Sequence, residues 1–138
     1  MKIQYIILIL LVVIGPIKAS QENIRLPSDK ECFNFYKGKF KSFVQNRADS
    51  TILINNGSFS FLYDEKSESY KIKAIFQIVG RCTYMYRIVE IDDPTKSENE
   101  KKHMFSFPII ESIYRIEGNK AYYKGIGCDC AGYYEKLE

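Results

Sequence analysis

The chain has 138 residues, with 20 basic and 17 acidic side chains, a single histidine and four cysteines. The formal charge of +3 falls to +1 if a leader containing Lys2 and Lys18 is removed, so the mature chain has no electrostatic footprint for nucleic acid. What then remains, about 119 residues, has the length of one domain with a sizeable core.

The first residues have the pattern of a secretory signal peptide. Lys2 precedes an apolar run over residues 6–14, and a Gly-Pro pair and small residues follow. The run is too short for a stable bilayer span, which takes roughly 20 residues. We therefore predict cleavage after Ala19 and a secreted or periplasmic protein without a membrane span in its mature chain.

This leader divides the chain into three predicted parts. Residues 1–19 are the signal peptide, residues 20–31 are a polar, flexible N-terminal segment, and residues 32–138 are a single β domain. No later apolar stretch has the length of a membrane helix.

The first strands follow the aromatic start of the domain. We predict one strand over residues 38–44 and a hairpin with arms at residues 51–54 and 58–63. The hairpin turns at Asn55-Asn56-Gly57, where Asn and Gly tolerate positive φ. Asn56-Gly57-Ser58 is also a possible N-glycosylation sequon, at Asn56, although a plain turn is the simpler interpretation.

The strongest pattern in the chain is a second hairpin over residues 70–90. Apolar and polar residues alternate with period 2 in its first arm, and its second arm is rich in aromatic and β-branched residues. We expect the turn at Gly80-Arg81, with Gly80 supplying the positive φ. Which face of the second arm points inward is left open by the sequence.

The C-terminal part completes an all-β pattern. Residues 92–102 are charged and predict a solvated loop, and strands are expected near residues 109–116, 121–126 and 132–137. We find no helical period of useful length. Seven to eight short strands with regular turn signals predict an antiparallel meander, curled into a small barrel or a sandwich.

Two short motifs resemble those of a group of small uncharacterised secreted proteins of gram-negative bacteria. They are CFNFYKGKFK at residues 32–41 and CTYMY at residues 82–86. The resemblance implies a lipocalin-like β fold, no established activity, and a disulfide between Cys32 and Cys82. The ending Cys128-Asp129-Cys130 departs from the pattern of that group.

Four cysteines in an exported chain predict two disulfides with three possible connectivities. The pairing implied by the resemblance leaves Cys128 and Cys130 to each other, whereas the strain of so small a ring favours crossed pairs. A Cys32–Cys82 bridge would contribute roughly 4 kcal/mol in the chain-entropy model, which inclines us to it.

Few residues indicate catalysis. A Cys128–Cys130 bond would be a candidate thiol–disulfide exchanger, but Asp129 between the two thiols disfavours the thiolate. His103 is the only histidine, and no zinc spacing, phosphate loop or Gly-x-Ser-x-Gly motif is present. We therefore expect no catalytic residue, no metal and no cofactor, and a protein that is not an ordinary enzyme.

The aromatic residues carry the functional prediction, because tyrosine combines a large rigid contact area with a polar tip. We predict a non-enzymatic, monomeric binding protein for a small apolar ligand or a partner protein. The alternatives are a redox protein using Cys128 and Cys130, and an inhibitor or immunity-like protein acting through residues 92–102. The tentative ligand-binding residues are Phe76, Tyr84, Tyr86 and Tyr122.

Overall fold

The computed structural model describes residues 25–138, so the predicted signal peptide lies outside the described residues. The strands are β1 (Gly38–Val44), β2 (Ser50–Asn55), β3 (Phe59–Asp64), β4 (Ile72–Gly80), β5 (Thr83–Ile91), β6 (Ile109–Glu117), β7 (Lys120–Gly125) and β8 (Ala131–Lys136). Two helices accompany them, α1 (Asp29–Phe33) before β1 and α2 (Glu98–Ser106) between β5 and β6.

The eight strands form one closed antiparallel barrel. Each strand pairs with the next along the chain, and β8 returns to pair with β1, with Ser42 opposite Tyr134. The predicted all-β meander of seven to eight strands is confirmed, and the closure decides for a barrel over a sandwich. Closure leaves none of these strands with an unpaired edge, which in an open sheet would expose backbone hydrogen-bonding groups.

One end of the barrel is filled by side chains and covered by α1. Cys32 on α1 is bonded to Cys82 in the turn before β5, and the Tyr84 hydroxyl donates a hydrogen bond of 3.2 Å to the Cys32 carbonyl. The ring of Tyr36 meets that of Tyr84 edge-on, with 5.0 Å between the ring centroids. Together with the buried Phe40, these contacts close what we call the packed end of the barrel.

The opposite end, which we call the open end, is bordered by the loops after β1, β3, β5 and β7. Helix α2 lies in the loop after β5 and turns Met104 toward the core, while Phe105 and Phe107 are exposed. Neither helix of the described chain has the length and apolar content needed to cross a membrane.

The two helices correct the expectation of a chain without helix. Both begin with a capping box, in which Ser28 and Ser97 exchange hydrogen bonds with Glu31 and Glu100 three residues on. Such boxes satisfy the free N–H groups of a first turn, so a short helix forms without an apolar stripe. As a result α2 begins inside the predicted solvated loop and makes its residues 98–102 helical, and residues 29–31 of the N-terminal segment are helical as well.

The central hairpin is present, but its turn differs from the prediction. β4 runs through Gly80, and the two connecting residues are Arg81 and Cys82, with Cys82 at φ 50°. Gly80 therefore does not supply the positive φ, and Cys82, which is bonded to Cys32, adopts the left-handed conformation instead. The structure also settles the orientation of the second arm, since Tyr84 and Tyr86 point into the barrel.

Candidate ligand-binding cavity

A cavity of about 760 Å³ occupies the half of the barrel nearest the open end. Its walls are mainly apolar and include Leu53, Leu62, Ala74 and Ile88, while Met104 of α2 lines its mouth. Several inward positions of this half carry small or aliphatic side chains, among them Ser60, Leu62 and Ala74, and so leave space beside the tyrosines of the wall. Volumes of about 300–1,000 Å³ are typical of small-molecule sites.

A buried carboxyl group lies in the wall of this cavity. Glu111 of β6 is 8% exposed, and its carboxylate accepts a hydrogen bond from the hydroxyl of Tyr134 on β8. Tyr86 and Tyr123, on β5 and β7, line the same cavity. Three tyrosines from three strands thus surround one acidic side chain, and we call these four residues the Glu111 cluster.

Burial governs the protonation of this cluster. Desolvation raises the pKa of Glu111 to about 7, although the Tyr134 hydrogen bond acts in the opposite direction. Burial also raises the pKa of Tyr86 and of Tyr134 well above the usual range, and the nearby Glu111 charge adds to both shifts. The tyrosines therefore remain neutral hydrogen-bonding groups, and Glu111 is the member of the cluster that changes charge near neutral pH.

A glycine makes room for one of these tyrosines. Gly132 faces Tyr123 across the β7–β8 ladder, and a Cβ atom at residue 132 would lie 2.6 Å from the Tyr123 hydroxyl and collide with the Phe43 carbonyl oxygen. The absence of a side chain at this position lets the Tyr123 ring lie over the strand. There it stacks on the Tyr134 ring, with centroids 4.6 Å apart.

A second polar group of the cavity wall is unsatisfied. Ser60 of β3 lines the cavity and is 3% exposed, and its hydroxyl oxygen has no hydrogen-bond partner among the described residues. A buried polar group without a partner costs free energy, and such groups in native proteins often mark functional positions.

The four predicted ligand-binding residues lie in three different parts of the barrel. Tyr86 lines the cavity. Phe76 and Tyr84 are buried in the packed end, where their rings lie 5.4 Å apart, so they form the floor beneath the cavity and not its wall. Tyr122 lies on the outer surface of β7, with the Arg115 guanidinium 4.0 Å from its ring centroid.

The four cysteines form two disulfides, Cys32–Cys82 and Cys128–Cys130. This is the pairing that the resemblance implies, and disulfides are typical of oxidising compartments outside the cytosol. Cys128 and Cys130 lie in the loop after β7 at the open end, with their sulfur atoms packed against Gly125. The redox hypothesis for this pair stays a prediction.

The remaining sequence candidates lie apart from the cavity. Asn56 is exposed at the β2–β3 turn, and its side-chain oxygen accepts hydrogen bonds from the backbone N–H groups of Ser58 and Phe59, as in an Asx turn. His103 is exposed on α2 beside Phe107. Within residues 25–138 no group of His, Cys, Asp and Glu side chains has the arrangement of a metal site. The inhibitor hypothesis for residues 92–102 stays a prediction.

Sequence reasoning did not single out Glu111, Tyr123, Tyr134 or Ser60 for the cavity. For Glu111 a signal was present, since it is a charged residue between Ile109 and Ile113 on one face of the predicted strand. Comparison with protein-family models, curated proteins and solved structures finds no match to this chain.

Proposed function

We propose that this protein binds a small organic ligand inside the barrel and performs no chemistry on it. The observation that carries the proposal is the cavity of about 760 Å³, open at one end and lined by apolar walls with a few convergent polar groups. Burial of an apolar ligand in a preformed site removes surface from water, and the polar groups orient the ligand.

Export to an oxidising compartment is part of this proposal. It is supported by the signal-peptide pattern over residues 1–19 and by the two disulfides. The mass of the exported protein gives the test. A chain beginning at Ser20, with four cysteines oxidised, is the expected product, and an unprocessed, reduced chain contradicts the proposal.

Binding is tested with the neutral fluorophore N-phenyl-1-naphthylamine, whose emission rises in apolar surroundings. We expect saturable binding of one equivalent to the exported, unreduced protein. The variant Ala74→Phe places a large ring inside the cavity, because Ala74 lines the cavity and is buried. It should weaken binding by about tenfold or more, as expected where overpacking removes space for the ligand.

A matched variant controls for nonspecific effects of an added ring. Gln77→Phe introduces the same side chain on the same strand, but at an exposed position that does not line the cavity. It should bind the probe as the unmodified protein does. If Ala74→Phe, or the milder Ala74→Leu, is folded and binds the probe unchanged, the ligand site is not in the barrel.

A further inference from the structure

The carboxylate of Glu111, in the buried part of the cavity, has no basic side chain beside it in the described wall. The Tyr134 hydroxyl donates a hydrogen bond to Oε2 of Glu111, and no hydrogen bond to the other oxygen, Oε1, is found among the described residues. The basic side chains that line the cavity, Arg47 and Lys66, are both exposed at its mouth. No cationic side chain of the described cavity wall is buried beside the carboxylate.

The charged side chains at the mouth are exposed and of both signs. Three acidic side chains, Asp49, Asp64 and Glu65, line the cavity together with those two basic ones. Asp64 is paired with Lys71 and Glu65 with Lys41, so their charges are locally balanced. The buried wall is negative when Glu111 is ionised, whereas Arg47 and Lys66 are exposed to water at the mouth. A cationic group that passes them is therefore attracted to the carboxylate.

The rest of the wall suits an organic cation in particular. Apolar side chains such as Leu62 and Ile88 cover the cavity beyond the Glu111 cluster, and the tyrosine rings offer π faces that attract cations. The unpartnered hydroxyl of Ser60 provides a further polar group in the same cavity that a ligand can satisfy. A hydrated inorganic cation would leave the apolar walls uncovered.

We propose that the cavity selects small organic amines, binding the ammonium group at Glu111 and the apolar body against the barrel wall. This inference rests on the ligand-binding function proposed above and names its chemical class. The ammonium donates hydrogen bonds to the free Oε1 atom, and the Tyr134 hydroxyl continues to hold Oε2. Charge-assisted hydrogen bonds in such surroundings are stronger than neutral ones.

The affinity for an amine should depend on pH through Glu111. The groups that face it are the hydroxyls of Tyr86, Tyr123 and Tyr134, whose pKa values burial raises, so they stay neutral, while Arg47 lies at the mouth. Below neutral pH Glu111 takes up a proton and loses its attraction for an ammonium group. Amine binding should therefore weaken as the pH falls, whereas binding of a neutral ligand should not.

The test compares three ligands of equal chain length, n-octylamine, n-octanol and octanoate, as competitors of N-phenyl-1-naphthylamine at about pH 8. We expect octylamine to bind at least about tenfold more tightly than octanol, as a charge-assisted hydrogen bond provides, and octanoate to bind most weakly. Between about pH 8 and pH 6 the advantage of octylamine over octanol should shrink by about tenfold.

Two variants test whether the preference for octylamine arises at Glu111. Glu111→Gln keeps the size of the side chain and an acceptor for Tyr134, so it should remove the preference for octylamine and leave octanol binding unchanged. Glu117→Gln, at the exposed end of the same strand, should keep the preference. An octylamine preference that survives in Glu111→Gln, or its absence in the unmodified protein, overturns the inference.

The outcomes separate this inference from the function on which it rests. If octanol competes as well as octylamine and Ala74→Phe blocks both, the barrel binds ligands but does not select amines. If the unmodified protein binds neither the probe nor any of the three competitors, the proposed binding function fails and the inference fails with it.

Discussion

Replacement of Glu111 by glutamine should change how the stability of the barrel depends on pH. The pKa of Glu111 rises from an ordinary 4.5 to about 7 on folding because the carboxyl is buried. The folded protein thus binds a proton that the unfolded chain releases, and folding is favoured at low pH. This contribution is complete below about pH 4.5 and is lost as the pH rises to about 7.

The magnitude follows from the two pKa values. Each pH unit between them changes the free energy of unfolding by about 1.4 kcal/mol, so ionisation of Glu111 removes about 3 kcal/mol in total. Urea unfolding of the unreduced protein at a series of pH values from about 5 to 8 measures this directly. The difference between the unmodified protein and Glu111→Gln should shift by about 2–3 kcal/mol in favour of the variant over that range, since a small part of the total is already lost at pH 5.

Other carboxyl groups do not imitate this effect. Hydrogen bonds lower the pKa values of Glu31, Glu65, Asp93 and Glu100, so their contributions to stability are lost only when the pH falls below their ordinary range. Glu117→Gln on the same strand serves as the control and should follow the unmodified protein. Stability curves for Glu111→Gln and the unmodified protein that run parallel from pH 5 to 8 would refute the reasoning.

Three further changes test the packing. Replacing Cys32 and Cys82 by serine removes a bridge across 50 residues and should lower the free energy of unfolding by about 4 kcal/mol, measured by urea titration; a loss below about 1 kcal/mol contradicts this. Gly132→Ala forces a Cβ against the Phe43 carbonyl and should cost about 1–3 kcal/mol in the same assay, whereas an unchanged urea midpoint would show that the strand adapts freely. Ser60→Ala removes an unpaired buried hydroxyl and should leave stability equal or up to about 1 kcal/mol higher; a clear loss would mean that the hydroxyl has a partner.

The strands were predictable because their signal is local. In β6, for example, the buried Glu111 and Ile113 alternate with less buried neighbours, and this period of 2 is present in the sequence itself. The helices were not predicted, because they lack such a periodic signal. α2 has no buried residue and hence no apolar stripe that would predict a helix. The sequence feature that does indicate this helix is the capping box formed by Ser97 and Glu100.

The candidate site was harder to predict, because barrel closure creates it. Tyr134 reaches Glu111 across 23 residues of chain, and β8 lies beside β7 and β1 but not beside β6. Alternation along each strand indicates which side chains point inward, but not which of them meet across the interior. The same limit explains why Tyr86 lines the cavity and Tyr84, two residues earlier on the same face, lies in the floor.

A carboxyl group that costs the fold about 3 kcal/mol at pH 8 calls for an explanation in function, because apolar residues of similar size would pack this wall without that cost. The double variant Glu111→Met/Tyr134→Phe replaces the acid and its hydrogen-bond donor together, so neither partner is left unsatisfied. We expect its free energy of unfolding at pH 8 to be about 1–3 kcal/mol higher than that of the unmodified protein. We also expect it to bind octanol at least as well as octylamine. If the double variant is instead less stable at pH 8, the Glu111–Tyr134 pair stabilises the barrel, and the presence of the acid in the cavity wall is explained by the fold without any ligand.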